Sequence, residues 1–514
     1  MALGPTLGTG LFIGAGQALA VGGPASLLLS YILLSFLTFA MTTSVAEVSI
    51  HTLSQHGTLV NNGYLYIPSS VAFASAYLRW YSLALFVPYE ITTAMVNLGL
   101  WKPGPAITIR LSIITIIVVG SNFLPERTFK SSERLFTWIK IGAMATLFPS
   151  LWHWVLEVLM DILPGGAMNE YLVRGLWGRF LGFFQCLLDG SIAFSFAPEL
   201  ITHRAEMPAS LGETAILSAA IPGKVMSDVL QTAFPYIMSS LAMGVMAPFN
   251  DTRLTNNGTG SGFSPYLIGL KDAKIQIVPT LATIAILLSS VASGRSFLYL
   301  SSRTLCAMSE LGHAPSGFSV RNRWNVPYMA VAISALFSTL SFASARIPSS
   351  TVNSYLLRLV TSASFISSLV SCTIYRHFHR RLRANRMTSR HSYSVQPFGT
   401  HFGMFVSTIL LFGGGLWGGP KGNVNGSRGA RLVISYINIV VFGLLSLAHR
   451  FQDVMPVVKV ERPIDMGGRA WVGQQGPREP RVQKTQSKPG KLDPIPENAG
   501  AFELRLSPTM FPEL

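Results

Sequence analysis

The stretch Gly8-Thr9-Gly10-Leu11-Phe12-Ile13-Gly14-Ala15-Gly16 puts four glycines into nine residues of an apolar segment, and the chemistry it offers is that of exposed backbone. In hydrocarbon an unpaired backbone group costs several kcal/mol, so a helix is interrupted only where the break is buried or lines a cavity. The amides at the start of a half-helix suit a carboxylate, and the carbonyls freed by unwinding suit an ammonium. The same glycines also let neighbouring helices approach closely, and these nine residues by themselves allow either use. A dinucleotide-binding loop is excluded, because no strand pattern precedes the glycines and the chain that follows is membrane-like. A second break is written into Phe194-Ser195-Phe196-Ala197-Pro198-Glu199, where proline removes a backbone donor and disturbs the preceding turn.

Elements long enough to position two such breaks follow from composition. The chain has 514 residues, of which 49% are hydrophobic and only 12% charged, too apolar for a soluble protein of several domains. Runs of mostly apolar residues long enough to span a bilayer as helix recur along it. The net charge of +16 resides in short loops and in the tail, where basic residues orient membrane proteins, and nucleic acid is not an expected partner. Cys186, Cys306 and Cys372 fall inside predicted spans without metal-ligand spacing, so neither a disulfide framework nor a metal or redox site is expected.

Spans are expected over residues 5–21, 25–48, 71–100, 105–124, 133–157, 177–201, 226–248, 277–306, 326–345, 351–377, 398–416 and 431–448. Gly22-Gly23-Pro24 turns the first span at once into the second, and Pro88 is expected to interrupt the third. Glu126 through Glu133-Arg134 reads as a charged loop, and 202–224 as a polar connection. The breaks fall in the first and sixth spans, equivalent positions of a five-plus-five inverted repeat. The expected fold is therefore an all-α polytopic membrane protein of about 12 transmembrane helices, with helices 1 and 6 broken. The transmembrane domain covers 1–450, and 451–514 reads as a disordered, proline-rich tail.

Sidedness comes from charge. The stretch after Arg376 carries Arg380, Arg381, Arg383, Arg386 and Arg390 with no acidic residue, and reads as a cytosolic loop. With an even number of spans, both termini are then cytosolic. The sequons beginning at Asn250, Asn257 and Asn425 all fall in or beside outer loops, as glycosylation requires. The opening segment lacks a basic start and a small-residue cleavage site, so it reads as a span rather than a cleaved signal peptide.

Met1 through Gly14 resembles the first span of fungal amino-acid permeases, in the amino acid/polyamine/organocation superfamily. Further blocks are similar in order: Gly23-Pro24-Ala25 with Leu28-Leu29-Ser30-Tyr31, Glu199-Leu200 with Glu206, and Ala247-Pro248-Phe249-Asn250-Asp251. Ser293-Gly294 through Leu305, Ala314-Pro315, Val326-Pro327-Tyr328 and Gln396-Pro397-Phe398-Gly399 continue the series to about residue 450. The resemblance implies the inverted-repeat transporter fold and proton-coupled uptake of amino acids, with substrate held at Thr9, Gly10 and Gly14 and at Phe194, Ser195 and Phe196. Packing against lipid or core is the alternative role for either phenylalanine.

Coupling to protons calls for an ionisable group inside the membrane, and burial cost makes every such group a functional candidate. Lys140 is similar to a fifth-span lysine that some members use in place of a sodium ion; the alternative is a lysine that snorkels to the interface. Glu90 and Glu199 come next, as proton carriers or buried acceptors, while Glu47 lies near a span end and reads as structural. Asp189, Arg295 and Arg358 depart from the family pattern, and Arg295 is expected to pair with a membrane carboxylate or to impair transport. The sixth span also departs, with Ala197-Pro198 before Glu199. The expectation is a proton/amino-acid symporter of the fungal plasma membrane, working by alternating access. Its partners are the substrate, protons, the lipid bilayer and cytosolic sorting or ubiquitination machinery. Its driving force is the proton gradient, without a cofactor. A non-transporting amino-acid sensor, and an exchanger or polyamine carrier on the same fold, are the alternatives. No hydrolase triad, metal cluster or nucleotide loop is present in the sequence, so an enzyme is not expected.

Overall fold

The structure, a computed structural model, describes residues 15–52, 59–98, 107–125, 128–129, 131–140, 142, 168–171, 173–194, 211–255, 264–272, 278–386, 392–416 and 428–451. Among the described residues every regular element is helical, and eight helices are long and apolar enough to cross a bilayer.

The first element, α1 (Ala15–Thr52), carries the end of the expected first span and the whole of the second. The chain turns between them at Gly23, whose φ of 81° lies in the left-handed region that glycine alone adopts without penalty. Pro24 then opens the next helical stretch with its φ already set. Gly22 is required for a different reason. α1 packs along α6 (Leu176–Phe194), and a Cβ on Gly22 would strike the Cys186 sulfur and stand 2.8 Å from the Gly182 carbonyl oxygen. Gly182 returns the approach, with its own Cβ position 3.2 Å from the Gly22 Cα. Gly22→Ala is therefore expected to cost about 1–3 kcal/mol, as overpacking does. Thermal unfolding in detergent would show it, and Gly22→Ala/Cys186→Ala should recover only part of the loss, because the carbonyl still obstructs.

α2 (Leu59–Tyr66) leads into α3 (Ser69–Leu98), which continues as helix through Pro88 and corrects the expected interruption. Proline removes a single donor, and α3 is held by α9 (Val278–Glu310) and α11 (Ser349–Ala384) on its flanks, so packing carries the helix past the defect. Leu83, Phe86, Val87, Leu298, Phe297 and Val360 fill that contact, with Phe86 and Phe297 stacked at 4.2 Å.

α4 (Ile107–Gly120) and the helical residues 131–140, here α5, cover one side of α9. α7 (Leu211–Met246) begins within the stretch expected as a polar connection, whose Leu-Gly-Glu-Thr-Ala-Ile-Leu run at 211–217 suits helix despite its polarity. The short α8 (Pro265–Asp272) follows α7, and α10 (Tyr328–Leu336) continues as 3-10 helix to Ala345. α11 likewise outruns its expected span: Arg380, Arg381 and Arg383 lie on its last turns rather than in a loop, where basic side chains complement the helix C-terminus. α12 (Phe398–Leu416) and α13 (Arg428–Phe451) complete the described chain. α13 exposes Val433, Ile437, Val440, Leu444 and Leu447, a face suited to lipid.

Several elements meet at one end of the helices. Arg381 donates to the Leu65 carbonyl at 2.6 Å, Tyr77 donates to the His313 carbonyl at 3.0 Å, and the His313 ring stacks on Tyr64 at 4.1 Å. Burial, with the His449 charge nearby, pushes the His313 imidazole down to about 4 from 6.5. The unfolded chain thus binds more protons here between those values. The resulting stability is complete above about pH 6.5 and is lost as pH falls toward 4. Acid should lower the unfolding temperature of wild type across that window more than that of His313→Asn; equal acid sensitivity would contradict the assignment.

Cys186, Cys306 and Cys372 are buried thiols, and no group of metal-binding side chains occurs among the described residues.

Candidate functional site

The expected substrate residues divide at the limit of the described chain. Thr9, Gly10, Gly14, Ser195, Phe196 and the proton candidate Glu199 lie outside the described residues, as do Asn257 and Asn425. Asn250 is exposed in the turn after α7, where Asp251 accepts from Arg253 and is held below the usual carboxylate range by that bond.

Phe194 is the last residue of α6 and is buried. It meets Tyr31 of α1 at 5.8 Å and Tyr236 of α7 at 5.0 Å between ring centroids, and the two tyrosines meet each other at 6.0 Å. Three elements thus converge on one aromatic cluster at the point where the sixth span is expected to break. Tyr236 carried no sequence signal beyond its place in an apolar helix.

Lys140 and Glu90 are brought together with two further charges. On α5, Glu133 and Lys140 stand seven residues apart, two helical turns, and so share a face. Across from them α9 presents Ser293, Arg295 and Ser296, and α3 presents Glu90. All four ionisable side chains are withdrawn from solvent: Glu90, Glu133 and Lys140 are 3% exposed and Arg295 5%. Lys140 Nζ donates to Ser293 Oγ at 2.9 Å, and Glu133, Glu90 and Arg295 all act on its charge. Arg295 donates from Nη2 to Glu133 Oε2 at 3.0 Å and from Nη1 to Ser132 Oγ at 2.7 Å. Ser296 Oγ donates to the same carboxylate at 2.9 Å. The guanidinium lies 4.4 Å from the Phe129 ring centroid and 5.0 Å from that of Phe136, so aromatic faces close it from two sides.

Backbone geometry makes room for this cluster. A Cβ on Gly294 would stand 3.3 Å from the Glu90 Cβ, so the glycine lets α9 pass close to α3. Asn122, just beyond α4, donates to the Arg295 carbonyl at 3.2 Å. The formal charges of Glu90, Glu133, Lys140 and Arg295 sum to zero, which is how four buried charges are tolerated together.

The expected membrane carboxylate for Arg295 is therefore Glu133, which sequence order had assigned to a loop. Its neighbours Ser131, Ser132 and Arg134 are polar, and its partner is 162 residues away, so composition hid it. Lys140 is buried rather than at an interface. Glu47 accepts from the Tyr375 hydroxyl at 3.1 Å, which gives it a structural partner.

The model of the family described as amino acid permease matches residues 1–453. The chain belongs to the amino acid permease family. The permease is 30% identical over 473 residues to a proline-specific permease of Emericella nidulans, an alignment covering 88% of this chain and 83% of that one. It is 26% identical over 476 residues to a proline-specific permease of Saccharomyces cerevisiae, covering 88% and 73% of the two chains. A lysine/arginine permease of Candida albicans is 25% identical over 471 residues, with 88% and 78% covered. These relatives are transporters, not enzymes, and the family membership together with the apolar helices makes the chain an integral membrane protein of amino-acid transport.

Proposed function

We propose that the permease imports amino acids by proton symport across the fungal plasma membrane, through alternating access of a twelve-span inverted-repeat fold with both termini cytosolic. The observation that carries the coupling is Lys140, buried on Ser293 beside Glu90, Glu133 and Arg295. A proton added to or taken from any member of a neutral buried set unbalances the rest, so protonation and packing of α3, α5 and α9 are linked. Lys140 and Glu90 are the proton-linked pair in this reading, with Glu199 a further candidate.

Substrate is held between the breaks of the first and sixth spans, its α-carboxylate and α-amino groups at Thr9, Gly10 and Gly14 and at Phe194, Ser195 and Phe196. The cluster of Phe194 with Tyr31 and Tyr236 supports an apolar wall on that side. Proline heads the substrates to be tried, because two of the three fungal relatives above are named as proline-specific.

The experiment is uptake of labelled proline, then of a panel of other amino acids, into permease-deficient yeast expressing this chain, at acidic and neutral external pH and without sodium. Accumulation that rises with acidity supports the proposal. Dependence on sodium, or on amino acid loaded inside, would replace it with a sodium symporter or an exchanger.

A further inference from the structure

Asp189 belongs to none of the contacts above. It sits on α6 four residues after Gln185 and five before Phe194, and both polar side chains are buried, 5% and 3% exposed. Gln185 Nε2 donates to Asp189 Oδ1 at 2.9 Å. That leaves Asp189 Oδ2 and Gln185 Oε1 buried without a hydrogen-bond partner among the described residues. Both side chains border a cavity of about 30 Å³, lined also by Leu357, Arg358 and Thr361 of α11, Leu410 and Gly414 of α12 and Ser435 of α13. A polar space of that size admits about one or two waters, too little for a second amino acid.

The charge opposite is Arg358, which acts on Asp189 and is anchored by donating from Nη1 to the Gly414 carbonyl at 3.1 Å. Among the described residues the other titratable groups facing Asp189 are Tyr31 of α1, Tyr89 of α3 and Cys186 on its own helix, none of which carries a positive charge. The cavity-lining residues of α12 and α13 are not titratable. The arrangement is a carboxyl group with one cation, one unmatched oxygen and access to a water-sized space. A metal ion is disfavoured there by the guanidinium.

We propose that Asp189 is a second proton-binding site of the permease, with Arg358 as its counter-cation and the cavity as the place where the proton is exchanged with water. The proton binds a carboxylate oxygen of Asp189 and leaves by the same route, so no other group changes its bonds. Protonation removes the attraction between α6 and the Arg358 that α12 anchors. It thereby frees the helix bearing Phe194 from α11 and α12. The link to transport rests on the proton-coupled reading above; proton binding itself does not.

The test is infrared titration of the purified full-length permease in lipid nanodiscs, following the protonated-carboxyl stretch. Wild type is expected to gain this band on acidification, and Asp189→Asn to lack that part of it. Arg358→Gln should hold the band to a pH higher by about one unit or more, because the cation that favours the carboxylate is gone. An Asp189→Asn spectrum identical to wild type, or an unmoved band in Arg358→Gln, overturns the site. Where Asp189→Asn does not yield folded protein, Asp189→Asn/Arg358→Gln, which removes both charges, takes its place. In yeast, Asp189→Asn at the cell surface should lose acid stimulation of proline uptake; an unchanged pH profile overturns the link to transport. A wild type whose band titrates while it carries no amino acid defeats the symport reading and leaves the proton site standing.

Discussion

Lys140→Met is expected to reach the cell surface yet lose acid-driven accumulation of amino acid, while still exchanging amino acid across the membrane. Methionine keeps the unbranched stem and removes the charge, so packing beside Ser293 survives. What remains is Glu90, Glu133 and Arg295, one negative charge in excess in a buried site. A carboxyl left in that position takes up a proton and keeps it. A permanently bound proton cannot be delivered, so substrate movement continues without coupling. Coupling free energies of about 1–3 kcal/mol correspond to about 5- to 150-fold, and accumulation should fall within that range. Steady-state accumulation and counterflow, measured on the same cells with surface protein quantified, separate this result from simple loss of the transporter. Counterflow lost in proportion to accumulation would place Lys140 in substrate binding or in folding instead.

Arg295→Ala should act on folding before it acts on transport. It strands the Glu133 carboxylate with the Ser296 hydroxyl and the more distant Lys140 charge, and it empties the space between Phe129 and Phe136. Breaking a buried ion pair by removing one partner costs about 3–5 kcal/mol, a large share of the stability of most proteins. The variant should be retained inside the cell and should unfold at a lower temperature in detergent. Glu133→Gln should do less harm, because the guanidinium keeps Ser132 and both rings. Arg295→Met/Glu133→Gln should recover much of the loss, since neither charge is then left alone. A double variant as unstable as Arg295→Ala would show that lost packing, and not the stranded charge, is responsible.

Legibility followed the range of the interaction being read. Apolar windows set by bilayer thickness located α9, α12 and α13 to within a few residues, since each needs only its own composition. Local signals failed where neighbours decide. Pro88 reads as a break, yet α3 continues because α9 and α11 hold it on its flanks. Arg380 to Arg383 read as a loop, yet they extend α11. Lys140, Glu90 and Arg295 were legible as costly charges in apolar segments. Glu133, which neutralises Arg295, was not legible, because its own surroundings are polar and its partner is brought to it only by the packing of α5 on α9. The two orphaned oxygens beside Asp189 were beyond any sequence signal, since they depend on what four helices leave unfilled.

The most direct test of proton-coupled import is internal pH in sodium-free proteoliposomes containing the purified permease. Amino acid is added outside, beginning with proline, under an inward proton gradient. Internal acidification is expected that requires a transported amino acid, disappears in Lys140→Met and is indifferent to sodium. Amino acid that enters without acidification, or only when sodium is supplied, would contradict it.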